Sequence, residues 1–225
     1  MIYLTGDTHA HIDIKNKDFS QLKEKDYLVI LGDFGFLFQL QESKEEKWWL
    51  DWLNNKPWVT LFVDGNHENF NRLDRLDRID KFSSVVGVVR LSIFHLLRGH
   101  IYNIEGNKIF TFGGAKSIDQ NSRVAGLSWW AREQANYQEQ KFGLDNLEKH
   151  SNTVDYIFTH TAPSSIVQRM DNLLEKYKEN TTTKYLEHIK NNIKFKKWYF
   201  GHFHDDDIFN KKFVMLYDKV IALKE

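Results

Sequence analysis

The apolar positions of this chain fall into short dense runs rather than long stripes. Ile2-Tyr3-Leu4, Tyr27-Leu28-Val29-Ile30-Leu31, Trp58-Val59-Thr60-Leu61-Phe62-Val63, Tyr156-Ile157-Phe158 and Trp198-Tyr199-Phe200 are aromatic or β-branched and nearly uninterrupted. Runs of that length and make-up predict strands covered on both faces. Helical spacing appears between them. Ser43 and Glu46 form a capping-box pattern ahead of Trp48, Trp49, Trp52 and Leu53, and the segment stops before Pro57; this predicts an amphipathic helix lying on a sheet. Segments 134–150, 164–178 and 183–192 read as helices too, the first containing Gly143. Residues 101–104 and 108–112 flank Glu105-Gly106-Asn107, and Ile208-Phe209 and 213–216 flank Asn210-Lys211-Lys212, so two hairpins are expected. Strands alternating with helices define an α/β protein, and the hairpins make its sheets mixed. Segment 71–80 repeats charges with apolar residues three apart, which predicts a solvated helix face.

Length and composition narrow the class. A chain of 225 residues with no linker-like stretch is expected to form one domain, 1–225. Its 41% hydrophobic and 15% aromatic content supplies a sizeable core and excludes disorder. Lys+Arg and Asp+Glu both number 31, so no global field recruits nucleic acid or an anionic membrane, and self-association is not opposed by net charge. With Cys 0, disulfides, thiolate metal sites and cysteine nucleophiles are excluded. No basic leader precedes Gly6, and no window approaches the roughly 18–20 apolar residues of a membrane span. A cytoplasmic protein without membrane contact is expected.

The chemistry lies directly after the apolar runs. Gly6-Asp7-Thr8-His9, Gly32-Asp33, Gly65-Asn66-His67-Glu68, Thr159-His160 and Gly201-His202-Phe203-His204 each follow one of the runs, where open α/β sheets collect their ligands. The glycines Gly6, Gly32, Gly65 and Gly201 are expected to make the sharp turn that aims the next side chain over the strand end. Asp7, His9, Asp33, Asn66, His160, His202 and His204 supply more N and O donors than one ion with an open position can use, so two divalent ions sharing a carboxylate fit better. The mixed donors suit Mn²⁺ first, with Fe or Zn²⁺ as alternatives. A pair of ions about 3.5–4 Å apart activates water for in-line attack on a phosphoester.

In order and in combination these motifs resemble the calcineurin-like metallophosphoesterase superfamily, from Asp7 to His204. The resemblance implies a four-layered α/β/β/α sandwich with two mixed β-sheets. It implies that Asp7, His9 and His204 hold one ion, that Asn66, His160 and His202 hold the other, and that Asp33 bridges both. His67 then contacts the phosphate and protonates or stabilises the leaving oxygen, and Glu68 supports a histidine as its partner. Two departures stand out. Ala10-His11 follows the first histidine, and Phe34-Gly35-Phe36 follows Asp33 in place of the Asp-Arg pair of the family's protein Ser/Thr phosphatases, which disfavours a phosphoprotein substrate.

Segment 113–133 is long, mixes glycines with cations and tryptophans, and is a candidate wall of the substrate cleft. Lys116, Arg123 or Arg132 are candidates for the missing phosphate-binding arginine, Trp129 or Trp130 for stacking on a base, and Asn66 for touching substrate as well as metal. His11 is left open between a surface and a substrate role. His95, His100, His150 and His188 are expected at the surface or as satisfied, partly buried side chains. The expected function is a phosphoesterase acting on a small nucleotide or phosphomonoester. A nuclease or protein phosphatase of the same superfamily and a non-catalytic metal-binding module are the alternatives, long nucleic acid being disfavoured by the balanced charge.

Overall fold

In the computed structural model, which describes residues 1–170 and 177–223, the apolar runs are strands and the chain forms two mixed sheets. The first sheet contains β1 (Ile2–Thr5), β2 (Tyr27–Leu31), β3 (Val59–Val63), β4 (Asp77–Lys81), β5 (Ser84–Arg90) and β6 (Ile93–Leu96). The second contains β7 (Ile101–Ile104), β8 (Asn107–Phe112), β9 (Tyr156–Thr159), β10 (Lys197–Phe200), β11 (Asp207–Phe209) and β12 (Phe213–Met215), and β13 (Ile221–Ala222) returns to the first. Their orders are β13-β1-β2-β3-β6-β5-β4 and β11-β12-β10-β9-β8-β7. In each sheet four central strands are parallel and the flanking strands antiparallel.

The two-residue period of a strand explains why the runs are apolar throughout. Leu28, Ile30 and Phe62 face an outer core, whereas Val29, Leu31 and Leu61 face the core between the sheets. In the second sheet Ile157, Trp198 and Phe200 face the other outer core, and Tyr156, Phe158 and Tyr199 meet the first sheet. Three cores therefore separate four layers. The outer layers include α2 (Lys44–Asn54) on the first sheet, and α4 (Tyr137–Lys149), α5 (Ser164–Val167) and α6 (Thr181–Asn192) on the second; α1 (His11–Ile14) and α3 (Phe70–Leu73) are single turns near the site.

Local signals explain most element ends. Ser43 Oγ accepts from the Glu46 amide at 3.0 Å, but the reciprocal half of the expected capping box is absent because the buried Glu46 carboxylate pairs with Arg72. Asn136 and Asn180 each make a complete capping box at the starts of α4 and α6. Gly143 is tolerated within α4 because a Cβ there would meet the Tyr185 hydroxyl at 2.3 Å. The expected helix over 164–178 lies partly outside the described residues; within them it is the single turn α5.

The expectation for 71–80 needs correction. Its helical part is the one turn of α3, and Asp77–Lys81 is an edge strand turned back onto β5 through Phe82 and Ser83 at φ 55 and 62°. Its charges serve an exposed edge, where they discourage pairing with another chain. His95 also departs from expectation. It is fully enclosed, with Nε2 3.1 Å from Asp64 Oδ1. Burial opposes ionisation of Asp64, but the Arg98 guanidinium, 2.6 and 2.8 Å from Oδ2, holds its carboxyl well below the usual range.

Arg98 lies on the crossing from β6 to β7, and the Asp64 carbonyl accepts from the Gly114 amide at 2.7 Å. The buried pair thus fastens the end of β3 to the β6–β7 crossing, and the carbonyl bond fastens it to the loop after β8. Removing one partner leaves a buried charge uncompensated, so Arg98→Met is expected to lose about 3–5 kcal/mol of stability. Urea unfolding followed by circular dichroism measures it.

Candidate metal centre

The parallel strands of both sheets deliver their C-terminal ends to one place. Asp7 follows β1, Asp33 follows β2, Asn66 and His67 follow β3, His160 follows β9, and His202 and His204 follow β10. Asp7, His9 and His204 offer donors within 4.8 Å of one another, and so do His9, Asp33 and His67. Asn66 Oδ1 is 3.1 Å from His160 Nε2, which is 3.4 Å from Asp33 Oδ1. The His202 ring stands 4.8 Å from that of His160, and its amide donates to Asp7 Oδ1 at 2.9 Å. All seven candidate ligands therefore meet in one cluster.

Close approach, more than turning, is what the motif glycines allow. Gly32 alone of the four has positive φ, at 91°. A Cβ on Gly65 would lie 2.0 Å from Asp33 Oδ1, and one on Gly201 would lie 2.4 Å from Asp7 Oδ1. Positive φ falls instead on the ligands: His9, Asp33, His202 and His204 at 39, 46, 74 and 54°. Such conformations cost on the order of 1–3 kcal/mol each and persist where surrounding structure over-determines them. Here, loops from both sheets fix one another: the amides of Thr8 and His9 both donate to the Asp33 carbonyl, and the His202 amide donates to Asp7 Oδ1.

The electrostatics are those of a site built around positive charge. Burial opposes ionisation of Asp33, yet His160 and His67 hold its carboxyl well below the ordinary value. Asp7 is likewise lowered, against its burial, by His204 and His160. His9 and His160 are both raised to about 9, because burial is outweighed by Asp33 and Asp7. His202 goes the other way, pushed down to about 3 by burial and by the His160 charge.

The chain matches the family described as Calcineurin-like phosphoesterase over residues 1–206. It belongs to that family. The family implies a dinuclear divalent metal centre. No curated protein is significantly similar to the chain in sequence. Solved structures similar to it include a putative 5′-nucleotidase from Staphylococcus aureus in complex with alpha-ketoglutarate, at 13% identity and TM-score 0.48, covering 96% of this chain and 48% of that one. Another is phosphopantetheinyl hydrolase from Mycobacterium tuberculosis, at 13% identity and TM-score 0.46, covering 96% of this chain and 89% of that one. The chain thus spans about half the length of the first.

The residues present fit a pair of cations. His160 Nδ1 lies 2.8 Å from the Leu31 carbonyl, which can only accept, so Nδ1 carries the proton and Nε2 faces the oxygens of Asn66 and Asp33. His9 repeats this, with Nδ1 2.6 Å from Asp13 Oδ2 and Nε2 3.3 Å from Asp33 Oδ2. A nitrogen lone pair aimed at an anionic oxygen needs a proton or a metal ion between them. Asp7 Oδ2 is buried without a hydrogen-bond partner, although His204 Nε2 is 3.2 Å away. Separations of this size are those between neighbouring ligands of one ion with bonds of about 2.0–2.2 Å.

Other candidates scatter. Arg123 Nη2 lies 3.2 Å from His67 Nε2, beside the centre, while its Nε pairs with Asp119 at 2.9 Å. Lys116 is exposed and lines a cavity of about 340 Å³ on the His202 side. Trp129 lines neither that cavity nor one of about 570 Å³ on the His9 side, and Trp130 is buried against Phe38. Arg132 is drawn away by Asp74 and Glu139. Glu68 supports no histidine; its buried carboxylate accepts from the Phe34 amide at 2.7 Å and is within 3.4 Å of that of Gly35. His11 stacks on Trp49 with ring centres 6.1 Å apart and lines the larger cavity.

Three supporting residues escaped the sequence reading. Asp13 fixes the His9 tautomer, and its position four residues on was a usable signal. Ser117 Oγ accepts from Asn66 Nδ2 at 3.2 Å and donates to Glu133 Oε2 at 2.6 Å, orienting the Asn66 carbonyl towards His160. Nothing in their spacing marks that relay. Glu133→Ala leaves the buried Ser117 amide without its 2.8 Å partner, so a loss of about 1–3 kcal/mol is expected, with faster proteolytic cleavage within 113–133 by mass spectrometry.

Proposed function

We propose that this chain hydrolyses a small phosphorylated substrate, a nucleotide or another phosphomonoester, at a centre whose ions are held by Asp7, His9, His204, Asn66, His160 and His202 with Asp33 shared. The observation that carries this is the pair of imidazoles, His9 and His160, each with Nδ1 committed to an oxygen and Nε2 aimed at Asp33. Two bound divalent ions supply Lewis acidity for the phosphate and make water nucleophilic at neutral pH.

The protein's own groups do the rest. The His67 amide donates to Asp33 Oδ1 at 2.7 Å, which ties the imidazole's position to the shared carboxylate. Burial lowers the His67 pKa, Asp33 opposes this, and Arg123 lowers it further. Arg123 and His67 converge on one spot. A phosphate oxygen entering there takes the guanidinium's hydrogen bond and frees Nε2 to hold a proton for the leaving oxygen. Arg123 in this reading serves where Phe34-Gly35-Phe36 offers no cation. A phosphodiester is the second reading, favoured by the cavities on opposite sides of the centre, one for each substituent.

With Mn²⁺ supplied, turnover of phosphomonoesters is expected, with phosphodiesters and nucleotides assayed beside them. His67→Gln should reduce kcat by about 10²–10⁴-fold with metal content intact. Asp33→Asn should lose bound metal by elemental analysis together with activity. Wild type and Asp33→Asn equally inert on every ester would refute the reading.

The raised imidazoles set a pH dependence for metal uptake. With pKa values of about 9, His9 and His160 are protonated near pH 7 and must lose those protons to ligate. Apparent Mn²⁺ affinity should therefore rise from pH 6 to 9 and level off above, with proton release seen by calorimetry in buffers of different ionisation heat. A pH-independent affinity would contradict the ligand set.

A further inference from the structure

The two cavities beside the centre are chemically unlike. The smaller is lined by polar and basic groups, among them Lys116, Asn121, Lys178 and Asn180. The larger, of about 570 Å³, opens on His9, His67 and His204, and its walls carry Phe36, Phe38 and Trp49. Among the described residues no Lys or Arg lines it, while Asp13, Glu45 and Glu46 do. Of these, Asp13 is held by His9 and Glu46 by Arg72, so Glu45, 3.6 Å from the half-exposed His11, is the least committed.

Aromatic groups stand both at the cavity rim and beside the catalytic histidine. His11 lies over Trp49 with rings 21° apart, Trp49 meets Phe36 at 6.5 Å between ring centres, and Phe38 meets His67 at 6.2 Å. A flat ring entering between the Trp49 and Phe38 sides exchanges water for π-faces on both sides. An additional anionic group placed among these rings, away from the centre, meets the Glu45 carboxylate. The volume lies within the range of small-molecule sites, roughly 300–1,000 Å³.

We infer that this cavity receives the alcohol portion of the substrate and selects esters in which that portion carries an uncharged planar ring joined through a single phosphate, as in a nucleoside monophosphate. Trp49 and Phe38 are its specificity-determining residues. The inference rests on the phosphoesterase reading above and adds to it what the phosphate is attached to. It also explains why Phe36 and Phe38 follow Asp33: they replace charge with a stacking surface at the edge of the site.

The test compares esters that differ only in the ring. Adenosine 5′-monophosphate and ribose 5-phosphate release the same kind of primary alcohol, so leaving-group acidity does not separate them. With the manganese-loaded wild type, kcat/KM is expected to favour the nucleotide by about tenfold or more, the size of one base stacked on an aromatic side chain. Adenosine 5′-diphosphate should be a poorer substrate than the monophosphate. Trp49→Ala and Phe38→Ala should each move the nucleotide-to-sugar ratio towards one, chiefly through KM. Adenosine itself, which has no phosphate to hydrolyse, should quench wild-type tryptophan emission where ribose does not, with weaker binding in Phe38→Ala. A wild-type ratio near one, a diphosphate preferred to the monophosphate, or adenosine binding unaltered in Phe38→Ala overturns the inference. Should no ester be turned over, the phosphoesterase reading falls separately, and adenosine binding alone then decides the cavity's occupant.

Discussion

Two carboxylates buried side by side are the constraint around which this protein is arranged. Asp7 and Asp33 are enclosed and each disfavours the other's charge, yet both are held ionised by histidines brought from β9, β10 and the loop after β1. Buried anions are tolerable only where compensating positive charge is equally fixed. That requirement makes the two sheets meet as they do: His160 from the second sheet donates to the Leu31 carbonyl of the first, and Gly201 lies against Asp7. The preference of His9 and His160 for protons is the same field that draws divalent cations in this family.

Holding that charge requires loops that cannot relax. Ligands at positive φ, motif glycines with no room for a Cβ, and the buried Asp64–Arg98 pair all act on loops at the C-terminal strand ends. Stabilisation is supplied from neighbouring, better-packed parts. The three cores are closed by large side chains such as Trp198, Tyr102 and Phe62, and the ion pair fastens the end of β3 to the β6–β7 crossing. Strain at the centre and firm packing beneath it belong to one arrangement, since a side chain is aimed accurately only from a support that does not move.

Around the centre the surroundings differ by side. Arg123 stands at His67, basic and polar residues line the His202 side, and aromatic residues line the His9 side. The loop 113–133 contributes to two of these, through Arg123 and Lys116, and is tied down by the Ser117–Glu133 relay. The two sides of one centre thus offer a bound ester unlike surroundings.

Much of this was legible in the linear chain. The apolar runs mark strands because a strand buried on both faces must be apolar at every position, and the motifs after them bear the donors that converge. The chain was less legible wherever long-range pairing decides. Segment 71–80 has helical spacing but becomes an edge strand because β5 is available to pair with it, and Arg132 has the charge of a phosphate ligand but is claimed by Asp74 and Glu139. Likewise, Glu68 accepts from backbone amides, Trp130 is absorbed by a core, and His95 is enclosed beside Asp64. The sequence by itself determined the class of fold, the donor types and the absence of thiolate chemistry, because these follow from periodicity and residue identity. Only the tertiary structure decided which arginine stands at His67, which hydroxyl orients Asn66 and which aromatic rings wall the cavity, because those contacts join residues tens of positions apart whose spacing carries no signal.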